Sequence, residues 1–307
     1  MLFVALLCLT VATIVLVSSI RGLRGTTLLT AGGWSVAGLI AWWFAVLCEN
    51  LGLTSRSATD LLYYLTSVLL LCPGIAVLGA RRPGHVTWNF FVLFPLVAVL
   101  LWPAVASVPL VEKDAALDLE TPPLIGFALV AVMGTGHYFG TRFTLPAMVH
   151  AATLFLLSVS MWVSATDLAL IPERTLARHM AAVAFMISVA VAALRAGESA
   201  EDLNSHERLW LDFVDQFGLV WAKRVMDRLN EAARHENWSA EFQWHGILRN
   251  PQATDDERSR TNARVEHNTR WLLKRFVNPE WIEKRLTTAD PAASPGESAS
   301  PNGNTGS

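Results

Sequence analysis

The chain has 307 residues, 52% of them hydrophobic and 16% charged, with a mean hydropathy of +0.37 and a formal net charge of −2. Charges are sparse up to Leu194 and dense from Arg195 to Arg285, the pattern of a chain dissolved first in lipid and then in water. Between Arg195 and Leu286 there are 15 Lys and Arg against 16 Asp and Glu, so the basic excess that a phosphate backbone demands is missing and nucleic acid is excluded as a partner.

A helix needs about 20 apolar residues to cross a hydrocarbon core ~30 Å thick. Seven stretches approach that length, at about 1–20, 28–48, 61–80, 88–111, 122–140, 144–165 and 176–194. The fifth is diluted by Gly134, Thr135, Gly136, His137 and Tyr138, yet charge bookkeeping requires it. The odd-numbered connections carry Arg21 and Arg24, Arg81 and Arg82, and Arg142, and the C-terminal exit carries Arg195. The even-numbered ones are acidic or mixed: Glu49, Arg56 and Asp60, then a run from Glu112 to Glu120, then Asp167, Glu173, Arg174 and Arg178. Short basic loops stay in the cytoplasm, which predicts an outside N-terminus, seven crossings and a cytoplasmic C-terminus. The sixth connection fits that rule least well. The first segment has no basic n-region, and its positive charges follow the apolar run, as in an uncleaved anchor.

Burial cannot drive helices together in lipid, but small residues allow close approach. Gly33, Ala37, Ala41 and Ala45 form a four-step ladder on the second span, and Ala184, Ser188, Ala192 and Ala196 another on the seventh; Gly136 and Gly140 close the fifth. These read as packing or oligomerisation faces. Pro95, Pro103 and Pro109 predict a bent fourth span. Trp34 and Trp88 fit an interfacial belt beside basic loops.

Ionisable groups in a span mark candidate sites. His137, His150 and His85 would gather at the cytoplasmic face, where neutral imidazoles can ligate a metal or a b-type haem. Glu49, Asp60, Arg178 and His179 would face water on the other side. Cys8, Cys48 and Cys72 lie in apolar runs without CxxC spacing. No nucleotide-binding, nucleophile-elbow or HExxH motif occurs, so no catalytic residue is assigned, and no cofactor is expected.

The C-terminal domain is expected over 196–286. Asn204 and Glu207 form a capping box that opens an amphipathic helix to about Arg234, weakened at Gly218. Trp238 to Leu248 alternates with a period of two, one strand. Thr254 and Glu257 cap a second helix that Asn278-Pro279 stops, and Trp281 and Ile282 start a short turn. The tail, 287–307, should be disordered. Trp210, Trp221, Trp238, Trp244 and Trp271 are candidate partner-facing residues.

The fold class expected is therefore an all-α polytopic membrane protein with seven transmembrane helices, a small mainly helical cytoplasmic domain and a disordered tail, in a cell membrane of the bacterial inner-membrane kind. Its expected partners are the lipid bilayer, a second copy, or a cytoplasmic protein. The leading functional expectation is a non-catalytic interaction, assembly or signalling component. The alternatives are a small-solute transporter or sensor, and a metal- or haem-binding redox protein using His137 and His150.

Overall fold

A computed structural model describes residues 2–107, 117, 119–159, 161, 173–197 and 204–287. It is 80% helical. The elements in chain order are α1 (Leu2–Ile20), α2 (Leu29–Leu51), α3 (Arg56–Leu78), α4 (His85–Ser107), α5 (Thr121–Gly136), α6 (Thr144–Val159), α7 (Arg174–Gly197), α8 (Ser205–His235), β1 (Ala240–Gln243), β2 (Gly246–Arg249), α9 (Asp255–Leu273) and α10 (Pro279–Thr287).

Five helices are long and apolar enough to cross a membrane: α1 with its 3-10 extension to Leu23, then α2, α3, α4 and α7. The chain is an all-α membrane protein. Helices α5 and α6 are apolar but shorter, 16 residues each, or about 24 Å at 1.5 Å per residue. Helix α5 starts at Thr121, with proline in its first turn, and stops at Gly136. The expected ends of the fourth and sixth spans, like the expected tail, lie outside the described residues.

Six helices form a closed ring in the order α1, α2, α3, α5, α6, α7, with α4 outside against α3. Close approach depends on small residues, though mostly not those of the sequence ladder. A methyl group on Gly38 of α2 would lie 2.7 Å from Leu70 of α3, and one on Gly74 of α3 would lie 2.4 Å from the Gly134 carbonyl oxygen of α5. Of the ladder on α2, Ala45 is buried, Ala37 and Ala41 are half-buried, and Gly33 is exposed with nothing near it. Gly136 is half-buried. Gly140 is exposed and already past the helix, at φ +83°. The packing face of α2 is the stripe through Ala31, Gly38, Trp42 and Ala45. On α7, Ser188 is buried and donates to the Pro146 carbonyl at 2.8 Å.

Helix α4 widens to a π segment at Asn89–Leu93, just before Pro95. Proline offers no N–H and crowds the carbonyl one turn back, and the wider turn relieves that conflict. The two tryptophans expected at an interface are half-buried, and each is hydrogen-bonded to the protein: Trp34 donates to Asn89 Oδ1 at 2.8 Å and Trp88 to the Ile75 carbonyl at 3.2 Å.

The C-terminal part differs from expectation in two ways. The expected long helix is α8, but Gly218 at φ +71°, ψ 176° breaks it into two arms. The expected single strand is an antiparallel hairpin, with Ala240 opposite Arg249 and Gln243 opposite Gly246. Trp244 and His245 form its turn, a two-residue link that period-two reading runs straight through. The Thr254–Glu257 capping box is present with both bonds. Asn204 accepts from the Glu207 N–H at 2.9 Å.

Candidate functional site

Three features concentrate chemistry or coupling in this fold. The first is a charge network at the end of the bundle that carries the even-numbered connections. Asp60, in the second turn of α3, is 1% exposed. One of its carboxylate oxygens accepts from Arg174 Nη1 and from the Leu117 N–H, both at 2.9 Å. The other accepts from Arg178 Nη2. Arg178 also donates to Glu49 Oε1 at 2.7 Å and lies over the Tyr63 ring, 4.1 Å from its centroid. Tyr63 donates in turn to the second Glu49 oxygen at 2.5 Å. Helices α2, α3 and α7 and the segment at Leu117 are thus pinned at one point.

This corrects the expectation that Asp60 and Arg178 face water: both are buried. A carboxylate at that depth is tolerated only with charge and hydrogen bonds around it. Two arginines meet two acids, so the cluster is self-neutralised. The carboxylates are occupied by guanidinium groups, which leaves no excess negative charge to hold a metal cation.

The second feature is a cavity of about 350 Å³ inside the ring, toward the opposite end. Leu16 and Leu23 of the first span, Ala31 of α2, Leu71 and Val77 of α3 and Leu154 of α6 give it apolar walls. Its serines are already satisfied: Ser19 donates to the Val15 carbonyl, Ser35 to Ala31 and Ser188 to Pro146. Asp215 and Gln216 of α8 also line it, so the C-terminal part supplies one wall. Gln216 Oε1 is buried and has no hydrogen-bond partner among the described residues.

The third feature is the seam between the bundle and the C-terminal part. Each of the three odd-numbered connections contributes. From the first, Thr27 N–H donates to the Phe276 carbonyl at 2.9 Å, and Asn278 N–H returns a bond to the Gly25 carbonyl at 2.7 Å. From the second, Arg82 N–H donates to the Arg275 carbonyl at 2.8 Å and its guanidinium to Asn278 Oδ1 at 2.6 Å. From the third, the His137 carbonyl accepts from Leu219 N–H at 2.7 Å, and Arg142 pairs with Asp212 at 2.6 Å and Asp215 at 2.7 Å. Burial pushes the Asp215 carboxyl up from its ordinary range, while the Arg142 N–H and guanidinium pull the other way.

Among the described residues there is no group of three or more His, Cys, Asp and Glu that could hold a metal ion. His150 engages the Leu70 carbonyl through Nε2 at 3.0 Å, one turn before Pro73 of α3. His137 is buried against the α8 break, where a methyl group on Gly218 would lie 2.4 Å from its ring. His85 is half-buried at the start of α4.

The tryptophans divide. Trp210 and Trp221 are buried, 0% and 6% exposed, which removes both from the partner-facing set. Trp210 donates to the Gln243 carbonyl at 2.7 Å and stacks edge-on with Phe242. Trp221 donates to the Val77 carbonyl of α3 at 2.8 Å and so belongs to the seam. Trp238 and Trp244 are half-buried, and Trp271 is exposed. Sequence reasoning missed the acid–arginine network because its partners lie 114 to 129 positions apart. The one available signal was the misfit of Arg174 and Arg178 to the charge alternation. No family model, curated protein or solved structure matches this chain.

Proposed function

We propose that this is a seven-span membrane protein acting as a non-catalytic interaction or signalling component, with its C-terminal part on the cytoplasmic side as the unit that meets a partner. The observation that carries this reading is the seam: all three odd-numbered connections are bonded to the C-terminal part. A unit held at three points moves with the helices that hold it. The same observation supports the orientation, because Arg21 and Arg24, Arg81 and Arg82, and Arg142 then share one side. The misfit of the sixth connection also finds a cause. Arg174 and Arg178 are neutralised by Asp60 and Glu49 and therefore carry little topological weight.

The hairpin is the favoured partner surface, since Leu248 is 57% exposed and Trp244 stands at its turn. Photo-crosslinking residues placed at Leu248 and Trp244 in living cells test it. Defined adducts are the expected result, and those formed from position 244 should be lost on Leu248→Asp. No adduct at either site, together with a lone monomer in mild detergent, would overturn the proposal.

The cavity favours a second reading, a sensor of a membrane-dissolved molecule. Its walls select an apolar ligand, and Gln216 Oε1 offers one acceptor for a hydroxyl or amide donor. Such a ligand would touch the bundle and α8 together. Filling the space with Ala147→Phe should abolish any ligand-induced rise in melting temperature without unfolding the chain.

A further inference from the structure

A concavity of about 650 Å³ lies on the C-terminal part beside the seam, with Trp221 and Arg224 of α8, Asn268 and Trp271 of α9, Arg275 beyond α9 and Arg81 beyond α3 on its walls. Its charge is predominantly positive. Asp227 on the wall is held by Lys223 at 2.5 Å, and Arg228 by Glu231 at 3.0 Å. Among the described residues no carboxylate pairs with Arg81, Arg224 or Arg275. Two of these guanidinium groups lie on indole faces: Arg224 sits 4.9 Å from the Trp221 ring centroid and Arg275 4.8 Å from that of Trp271. Stacking holds the planar fork while leaving its N–H edges free, the arrangement that suits a phosphate.

The position is as informative as the charge. Trp221 donates to the Val77 carbonyl and the Arg275 backbone carbonyl accepts from the Arg82 N–H, so the groove is tied to the last turn of α3 and the loop after it. That is the level at which a spanning helix leaves hydrocarbon and meets headgroups. Trp271 is 47% exposed there, an aromatic of the kind that settles at a headgroup boundary. We propose that this groove holds the phosphate headgroup of an anionic phospholipid from the leaflet in which α3 ends. The lipid would bridge the bundle and the C-terminal part, and the inference stands independently of any protein partner.

The test uses the full chain, delipidated in a neutral detergent, with lipid adducts titrated by native mass spectrometry. Phosphatidylglycerol, phosphatidylcholine and inorganic phosphate are the three probes. Phosphatidylglycerol is expected to bind more tightly than phosphatidylcholine. Arg224→Gln, and separately Arg81→Gln with Arg275→Gln, should each weaken it, by about five-fold per arginine removed. Arg260→Gln, an exposed arginine outside the groove, should change nothing. Equal affinity for the two lipids would overturn the proposal, as would equal losses from Arg224→Gln and Arg260→Gln. Displacement of the lipid by inorganic phosphate at matching concentration would overturn the lipid assignment in favour of a soluble phosphate compound.

Discussion

Asp60 shows how a single residue can govern one end of a membrane bundle. At 1% exposure its carboxylate is enclosed by Arg174, Arg178 and the Leu117 N–H. Removing one partner from such a group costs more than the pair contributes, because the remaining charge is stranded. Arg178→Met is therefore expected to destabilise the chain by about 3 kcal/mol or more, read from its thermal or denaturant transition in detergent. A wild-type transition in this variant would mean that water reaches Asp60 and the burial argument is wrong. Gly218 is the corresponding case at the other end. It combines φ +71° with a ring and a carbonyl of His137 that leave no room for Cβ. Gly218→Ala should lose the Leu219–His137 bond and cost about 1–3 kcal/mol for the glycine-restricted backbone alone, visible as faster proteolysis across α8. Neither role could be read from the chain. Composition marks Asp60 as an acid between two spans and Gly218 as a weak point in a helix. Only the fold shows that one faces two arginines and the other a neighbouring backbone.

Elements were legible where one stretch of chain determines them, and not where a distant stretch does. The capping box at Thr254 and Glu257 is local, and it formed as spacing predicts. The strand reading failed at Trp244 and His245 because a hairpin turn costs only two residues of an otherwise unbroken alternation. Small-residue packing was anticipated in kind but misplaced in register. The glycines that matter are Gly38 and Gly74, each fixed by what the opposing helix brings to it. Contact between α8 and α9 also includes a titratable group. His206 at the start of α8 is largely buried, 3.7 Å from Glu266 of α9. Burial lowers its affinity for a proton below the ordinary 6.5, with Glu266 only partly opposing. The unfolded chain then binds that proton more readily than the folded one, so its contribution is complete above pH 6.5 and is lost as pH falls below that value. Acidification should lower the melting temperature of the C-terminal part between pH 6.5 and the depressed value, and His206→Gln should flatten that slope. An unchanged slope in the variant would assign the acid sensitivity elsewhere.

At the scale of the whole molecule the decisive quantity is the number of crossings, and it turns on two short helices. Five helices satisfy length and composition outright, while α5 and α6 are 16 residues each. Charge alternation argues that both cross, because removing them as a pair leaves Arg142 on the acidic side. The seam argues the same way, since the loop between α5 and α6 is bonded to α8 and the loops after α1 and α3 to the segment after α9, all in the C-terminal part. A pair of re-entrant helices would instead place Phe139, in that loop, on the same side as Glu120 before α5. Both positions are exposed, as are Arg81 and Glu173. The native cysteines Cys8, Cys48 and Cys72 are all buried, so single introduced cysteines can be labelled against a quiet background. With an impermeant maleimide, Arg81→Cys and Phe139→Cys should label from one face of a sealed vesicle, and Glu120→Cys and Glu173→Cys from the other. Phe139→Cys labelling with Glu120→Cys would leave five crossings and detach the third loop from the C-terminal part. Phe139→Cys labelling with Arg81→Cys, opposite Glu120→Cys and Glu173→Cys, makes α5 and α6 both cross and adds two to the five long helices, giving seven.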